Sequence, residues 1–195
     1  MSNATTYLHF AKHPVHIPNA APNTGNAEAD KLQSFIDQYE EQYLRYIMGY
    51  ELSELYIQGE GDSGIYDKIR NGDTFTDQLG LLQKWEGFAT AGKNPIACYI
   101  YWFWQNSNAS NTYGIGEATA NVENATRTSP APKARIAWNK MVELNKKLHG
   151  YLFANRNLYP SYIGLTYLPT GQLFKGLNVE ELNNYQNLFA KQTWL

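Results

Sequence analysis

The feature that most constrains this chain is an apolar run that follows the pair Asn94-Pro95 and ends at Trp104. Asn is a favoured N-cap residue and Pro is tolerated in the first helical turn, so the pair predicts the start of a helix. That helix would be apolar on every side, which requires cover from its own domain or from a neighbouring molecule. A buried strand is the alternative interpretation of such a run.

The same run is too short to cross a membrane. Pro95 to Trp104 is ten residues long, whereas a transmembrane helix needs about twenty. Residues 1–6 contain neither the charged nor the apolar region of a secretory signal. We therefore expect a protein that is made in the cytoplasm and has no membrane partner.

Two amphipathic helices are predicted to cover the run. The first spans 28–48 and ends at Gly49, where a glycine commonly terminates a helix. The second spans Lys133–Ala154 and is bounded by prolines. Their apolar stripes are Leu32, Phe35, Ile36, Tyr39, Tyr43, Tyr46 and Ile47 in the first, and Ile136, Ala137, Met141, Leu144, Leu148, Tyr151 and Leu152 in the second. The residues expected to be largely buried are Tyr99, Trp102, Leu144 and Leu148.

The remaining segments are predicted to be short or extended. Residues 51–57 continue as a short helix, and the runs 74–76 and 81–85 predict a β-hairpin. Residues 105–130 are rich in Asn, Ala, Ser, Thr and Gly and predict an extended excursion, longer than an ordinary connection. The chain is therefore predicted to be mainly α, a small helical bundle with a protruding β-hairpin or extended loop and with extended N- and C-terminal arms.

Three regions follow from this organisation. We predict an extended N-terminal arm at 1–27 and a helical core with its excursion at 28–162. A C-terminal extension with a short helix is predicted at 163–195. The apolar side chains of the N-terminal arm have no periodicity that would bury them within the arm, so we expect both arms and the excursion to dock on partners. The candidate assembly residues are Tyr7, Phe10, Ile17, Tyr113, Ile115, Val122, Tyr162 and Trp194.

Composition excludes several classes of protein. The chain has 5 Trp, 15 Tyr and 8 Phe, whereas disordered chains are poor in aromatic residues. The formal net charge is −2 and no dense basic stripe occurs, so sequence-specific binding of nucleic acid is not expected. Cys98 is the single cysteine, which excludes an intramolecular disulfide, and burial in the apolar run would make its thiol inert.

One motif resembles a catalytic signature. Gly61-Asp62-Ser63-Gly64 matches the nucleophile tetrapeptide of trypsin-like proteases, but Ser63 comes too early in the chain for that family. A flexible turn is the simpler interpretation. No phosphate-binding glycine pattern occurs in the sequence. We therefore expect no catalytic residue and no cofactor, and a protein that is not an enzyme.

Three histidines are close enough in sequence to suggest a zinc site. His9, His13 and His16 lie within eight residues of one another. Pro14 prevents them from sharing one helical face, and no acid or cysteine is near them in sequence. Solvated or hydrogen-bonded histidines are the favoured interpretation, and no resident metal is expected.

The order of these elements resembles that of the head–tail connector proteins of tailed bacteriophages, also called adaptor or neck proteins. The shared features are a helix that ends near a glycine, a short second helix, a loop or hairpin, an aromatic central helix, a protruding excursion and a long last helix. The first two helices are Leu32–Gly49 and Tyr50–Ile57, and the long last helix is Lys133–Asn155. The central helix is Pro95–Gln105, introduced by Trp85-Glu86-Gly87-Phe88. The excursion runs from Thr112-Tyr113-Gly114-Ile115-Gly116 to Val122-Glu123-Asn124-Ala125. The resemblance covers 28–162, and the segments 1–27 and 163–195 depart from it.

The resemblance implies a virion structural protein of the phage neck. Subunits of this family form a homo-oligomeric ring, dodecameric in the family, that docks on the portal protein and contacts tail or second neck-ring proteins. Double-stranded DNA passes through the ring without sequence recognition, and a near-neutral to acidic chain suits such a conduit. The alternatives are a tail-completion or other virion ring protein and, from another class, a monomeric module that binds carbohydrate or peptide.

Overall fold

The computed structural model describes residues 4–22, 27–59, 64–109, 111–113, 116–118 and 131–162. Within these ranges the chain is mainly α with short antiparallel hairpins, which confirms the predicted mainly α fold with a β-hairpin. The elements in chain order are a 3₁₀ helix (Tyr7–Ala11), α1 (Ala27–Met48), α2 (Tyr50–Gln58), α3 (Ile65–Asn71), β1 (Asp73–Thr76), β2 (Leu82–Trp85), α4 (Pro95–Ala109), β3 (Asn111–Tyr113), β4 (Gly116–Ala118) and α5 (Ala131–Ala154).

The apolar run forms α4, the helix around which the bundle is built. Each residue from Ile96 to Tyr101 is at most 8% exposed, because α1 and α5 both pack on this helix. The predicted N-cap is present, since Oδ1 of Asn94 accepts hydrogen bonds from the backbone N–H groups of Ile96 (2.8 Å) and Ala97 (3.2 Å). Among the described residues, no helix is long and apolar enough to cross a membrane.

The cover on α4 decreases toward its C-terminal turns. Trp102 and Phe103 are half-buried, so Trp102 is covered less completely than predicted. Instead, Trp102 lies 5.3 Å from the ring of Trp138 on α5, and Phe103 stacks on Tyr39 of α1 at 4.1 Å between centroids. Tyr99, one turn earlier, is buried as predicted.

The apolar stripes of α1 and α5 face the core with two exceptions. Leu144 and Leu148 are buried, as predicted. Tyr46 and Ile136, which the sequence also assigns to these stripes, are exposed. The predicted stripes are wider than the face that the neighbouring helices cover, so residues at a stripe edge remain in solvent.

The described N-terminal residues 4–22 belong to the core, and the prediction of an extended arm is wrong for them. Phe10, Val15 and Ile17 are at most 2% exposed and lie in the same hydrophobic cluster as α4. The apolar residues of an irregular segment follow neither helical nor strand periodicity. They are still buried when the segment packs across a surface formed by the helices. Periodicity therefore could not reveal this packing.

Polar contacts tie the start of this segment to two helices. The carboxylate of Glu40 on α1 accepts hydrogen bonds from the backbone N–H groups of Ala4 (2.8 Å) and Thr5 (2.7 Å). Asn94, the cap of α4, donates from Nδ2 to Oγ1 of Thr5 at 3.2 Å. Because Thr5 and Asn94 are both about 1% exposed, these bonds satisfy groups that have left water.

The predicted hairpin at 74–76 and 81–85 is formed by β1 and β2. Asp73 pairs with Trp85 and Thr76 pairs with Leu82 in an antiparallel register. A second hairpin, β3 and β4, lies inside the predicted excursion 105–130, whose first residues instead extend α4 to Ala109. The rest of that excursion (110, 114–115 and 119–130) lies outside the described residues, as does the C-terminal extension 163–195.

Gly87 allows the chain after β2 to pass directly over the end of α3. Its φ is +83°, and a Cβ atom there would lie 2.4 Å from the backbone carbonyl oxygen of Arg70. The close approach permits a hydrogen bond from Ala89 N to Arg70 O at 2.8 Å. Gly80, in the β1–β2 turn, has a similar φ of +78°, but a Cβ atom there would meet open space.

We predict that Gly87→Ala destabilises the protein much more than Gly80→Ala. Both substitutions force a positive φ on a side chain, which costs about 1 kcal/mol. Only Gly87→Ala also drives a Cβ atom into backbone, so its total cost should reach about 3 kcal/mol or more. Urea unfolding of both variants measures the difference, and equal losses would contradict this account of Gly87.

Candidate assembly surfaces

The predicted assembly residues of the N-terminal segment divide into buried and exposed. Phe10 and Ile17 face the protein's own core, which contradicts their predicted place on an interface. A side chain that already fills the core cannot contact a partner without unfolding its segment. Tyr7 is 38% exposed and remains accessible, as does its neighbour Leu8 at 57%.

Tyr162, another predicted assembly residue, is also buried. Its hydroxyl forms a hydrogen bond with Nδ1 of His149 on α5. Nearby, Tyr159 donates to the backbone carbonyl of Ile65 at 2.6 Å and lies 3.0 Å from the hydroxyl of Tyr151. The chain that follows α5 is therefore fixed to the core as far as Tyr162. Buried tyrosine rings pack there while their hydroxyl groups form hydrogen bonds inside the protein.

The predicted assembly role of the remaining residues stays a prediction. Tyr113 lies in β3, at the turn end of the second hairpin, opposite Gly116. Ile115, Val122 and Trp194 lie outside the described residues. The same is true of Ser63, the residue of the protease-like tetrapeptide.

The three N-terminal histidines have different surroundings. His9 is buried, and its Nδ1 accepts a hydrogen bond from the backbone N–H of Thr6 at 2.9 Å. Burial lowers the pKa of His9 below its usual value. His13 and His16 are exposed, and no group of three or more potential metal ligands occurs in the described part of the chain.

Two buried side chains that could be reactive, a cysteine and a histidine, are kept in their neutral forms by burial. Burial raises the pKa of the Cys98 thiol to about 12, so the thiolate is absent at neutral pH, as the sequence predicts. Burial lowers the pKa of His149 to about 4, which keeps its imidazole neutral. Within the described residues, Nε2 of His149 has no hydrogen-bond partner.

The β1–β2 hairpin exposes an apolar surface at its end. Every residue from Gln78 to Lys84 is exposed. Leu79 is 83% exposed and Leu82 is 75% exposed, with Leu81 beside them at 56%. We call Leu79, Leu81 and Leu82 the leucine tip. Clustered leucines at a turn, where polar residues are usual, indicate a contact surface for another molecule.

The leucine tip has a defined shape because Asp77 organises the turn. Oδ1 of Asp77 accepts hydrogen bonds from the backbone N–H groups of Leu79 and Leu81, both at 2.9 Å. Oδ2 accepts a third from Nε2 of Gln83 at 3.1 Å. These bonds, led by that from Leu81, lower the pKa of the Asp77 carboxyl.

The base of the hairpin is anchored on the bundle. The ring of Phe75 in β1 packs edge-to-face on Tyr151 of α5, with centroids 5.8 Å apart. Trp85 in β2 is fully buried and donates from Nε1 to the carbonyl oxygen of Ile69 at 2.8 Å. These contacts hold the hairpin, and with it the leucine tip, in a fixed position on the helical bundle.

A second surface with exposed aromatic side chains lies where α1 meets α2. It is a shallow, open depression of the surface, which we call the tyrosine groove, lined by Gln38, Glu41, Gln42, Arg45, Tyr46 and Tyr50. Tyr46 and Tyr50 are 65% and 67% exposed. Arg45 directly precedes Tyr46, bridges Glu41 and Glu54, and places its guanidinium 5.1 Å from the centre of the Tyr50 ring.

Neither surface is predicted from the sequence, although each leaves a signal there. Leu79-Gly80-Leu81-Leu82 places leucines on both sides of a turn glycine, which is unusual for a solvated turn. In α1, Leu44 and Ile47 occupy the face that packs on the core, so Tyr46 is an apolar residue beside that face and not on it.

Comparison of the chain with protein-family models, with curated proteins and with solved structures finds no match in any of the three.

We predict that Phe10→Ala lowers the free energy of unfolding by about 3–5 kcal/mol, because it removes a fully buried ring from the core. Leu8→Ala, two residues away on the exposed side of the same 3₁₀ helix, should change stability by no more than about 0.5 kcal/mol. Chemical denaturation of the two variants checks this. Equal, small effects would show that the segment docks on partners and not on its own core.

We predict that acid destabilises the protein through His149. Its pKa is about 4 in the folded protein and near 6.5 when unfolded. The unfolded state therefore binds the proton first, and stability falls as the pH drops from about 6.5 to about 4, by up to about 3 kcal/mol.

The measurement is the urea midpoint at several pH values for the wild type and for His149→Gln. The wild type should lose stability relative to this variant as the pH falls, and His13→Gln, at an exposed position, serves as the matched control. A constant difference between wild type and His149→Gln over this range would refute the role of His149.

Proposed function

We propose that this chain is a ring-forming structural subunit of a tailed-phage virion, a head–tail connector that docks between the portal and the tail. The observation that carries the assembly role is the leucine tip, a rigid hairpin end that keeps three large apolar side chains in solvent. A side chain of this kind gains free energy when a partner covers it.

The order of elements supports the neck as the place of assembly. α1 ends one residue before Gly49, α2 follows directly, a hairpin precedes the aromatic helix α4, and a second hairpin separates α4 from the long helix α5. This is the order on which the resemblance to connector proteins depends. The prediction of a ring with a portal, a tail-side partner and passing DNA follows from that resemblance.

The charge of the chain is compatible with a DNA conduit. The formal net charge is −2 and the isoelectric point is about 6.1. Tight, salt-sensitive binding to duplex DNA needs several Lys or Arg contacts to phosphates. A subunit without an excess of positive charge lets DNA slide past, which is the behaviour a connector requires.

The second candidate function is a monomeric module that binds carbohydrate or peptide. The tyrosine groove is the observation that favours it, because exposed aromatic rings beside Gln38 and Gln42 offer both stacking and hydrogen bonding. Such a module would need no partner copy. The two functions therefore differ in the mass of the native particle.

We predict that native mass spectrometry finds a closed multimer of this chain, either alone or after mixing with the portal protein of the phage that encodes it. The physical reason is burial of the leucine tip, which a monomer cannot achieve. A matched run without portal separates self-assembly from assembly on a template. A monomer under both conditions would overturn the connector proposal and favour the binding module.

A further inference from the structure

The charged side chains of α5 and of the turn after it are almost all basic, although the whole chain has a formal net charge of −2. Between Ala131 and Arg156 the one acidic residue is Glu143. Positive charge is therefore concentrated on this helix, and the rest of the chain carries the compensating acids. The basic residues of the stretch are Lys133, Arg135, Lys140, Lys146, Lys147 and Arg156.

Two of these cations are already neutralised within the chain. The carboxylate of Glu143 lies 2.9 Å from Nζ of Lys140 and 3.7 Å from Nζ of Lys147, so one acid is shared by two lysines. Three of the others are exposed and form no ion pair with any described residue. We call these three residues the basic edge: Arg135, Lys146 and Arg156.

Helix geometry aligns the basic edge. Arg135 and Lys146 are eleven residues apart, which is three turns, so they project from the same side of α5 about 17 Å apart. Phe153 follows two turns later on that side, and Arg156 places its guanidinium 5.3 Å from the centre of the Phe153 ring. This contact holds Arg156 in line with the other two cations. Buried Leu144 lies on the opposite side of the helix.

The composition of this surface differs from that of a protein-binding or membrane-binding surface. Protein–protein interfaces are depleted in Lys, and the exposed apolar residues Ile136 and Phe153 are about 25 Å apart along α5, so they form no shared patch. A helix that lies in a membrane interface needs an apolar face toward lipid, whereas the apolar face of α5 packs on α4. Exposed Lys and Arg of this kind are typical of contacts to phosphates.

We propose that the basic edge contacts the phosphate backbone of double-stranded DNA without reading its sequence. The proposal rests on the connector function given above and names the surface of the subunit that faces the passing duplex. DNA carries one negative charge for about every 1.7 Å of its axis, so phosphates are available to a widely spaced row of cations in any register. An acidic protein would have to match this spacing with particular carboxylates.

Three cations in each subunit suit a conduit better than a binding site. The affinity of a protein for DNA and its sensitivity to salt both grow with the number of phosphates that it neutralises. A few contacts to phosphates, with none to base edges, can pass from one phosphate to the next as the duplex slides. In a closed ring the basic edges of all copies would act on the same duplex.

Neutralisation of the basic edge tests the proposal. The test variant carries Arg135→Gln, Lys146→Gln and Arg156→Gln. Circular dichroism establishes that each variant is folded, and single Arg135→Gln and Lys146→Gln variants replace the test variant if it is not. The matched control removes the same charge at exposed positions outside α5, with the substitutions Lys12→Gln, Lys68→Gln and Lys84→Gln.

The readout is the fluorescence anisotropy of labelled duplexes of about 20 base pairs, in two unrelated sequences, titrated with the full chain. The wild type and the control should bind both duplexes alike. With three phosphate contacts, their affinity should fall about 40-fold between about 50 and 200 mM salt. The test variant should bind at least tenfold more weakly at the lower salt concentration and lose most of the salt dependence.

Three outcomes would overturn the proposal. Equal weakening of the test variant and the control would show an effect of net charge alone. Displacement of the duplex by a polyglutamate chain of equal total charge would assign the basic edge to an acidic protein. Loss of the wild-type multimer in the test variant would make the edge a contact between subunits.

Native mass separates these failures from failure of the connector function. The test variant should form the same multimer as the wild type. If it does so and also binds DNA as tightly as the wild type, the connector proposal stands and the basic edge is not the DNA contact. A wild type that stays monomeric even with portal overturns the connector function and with it the role of the basic edge.

Discussion

The structure depends on the need to cover α4 from all sides. A helix that is apolar around its circumference cannot lie on a surface, so the chain must surround it. α1 and α5 cover two sides, and the N-terminal segment adds Phe10 and Ile17 to the same cluster. The capped start of α4 at Asn94 is buried as well, which requires that its polar groups be satisfied inside the protein.

This requirement explains why the N-terminal segment belongs to the core although its sequence resembles that of an arm. The N–H groups of Ala4 and Thr5 leave water when the segment crosses the bundle, and Glu40 accepts both. Asn94 serves two roles, since its oxygen caps α4 while its nitrogen reaches Thr5. Burial of an apolar helix thus accounts for a polar junction at one of its ends.

The sequence predicts the parts of the fold that local physics determines. The Asn94 cap, the ends of α1 near Gly49 and the β1–β2 hairpin follow from residue preferences within a few positions. The burial of Phe10 and the exposure of Tyr46 depend on which surfaces meet in three dimensions, and local residue preferences do not determine that. Both candidate assembly surfaces belong to this second class, because exposure is a property of the folded molecule.

The anchoring of both ends of the described chain has a consequence for the order in which the protein folds. Asn94 bonds to a residue 89 positions away, Tyr159 to one 94 positions away, and Ser161 to one 110 positions away. Such contacts require closure of long loops, which raises the contact order above that of a simple helical bundle. Helices can form early, but the bundle closes only after nearly the whole described chain has been synthesised, so folding is slower than the helix content suggests.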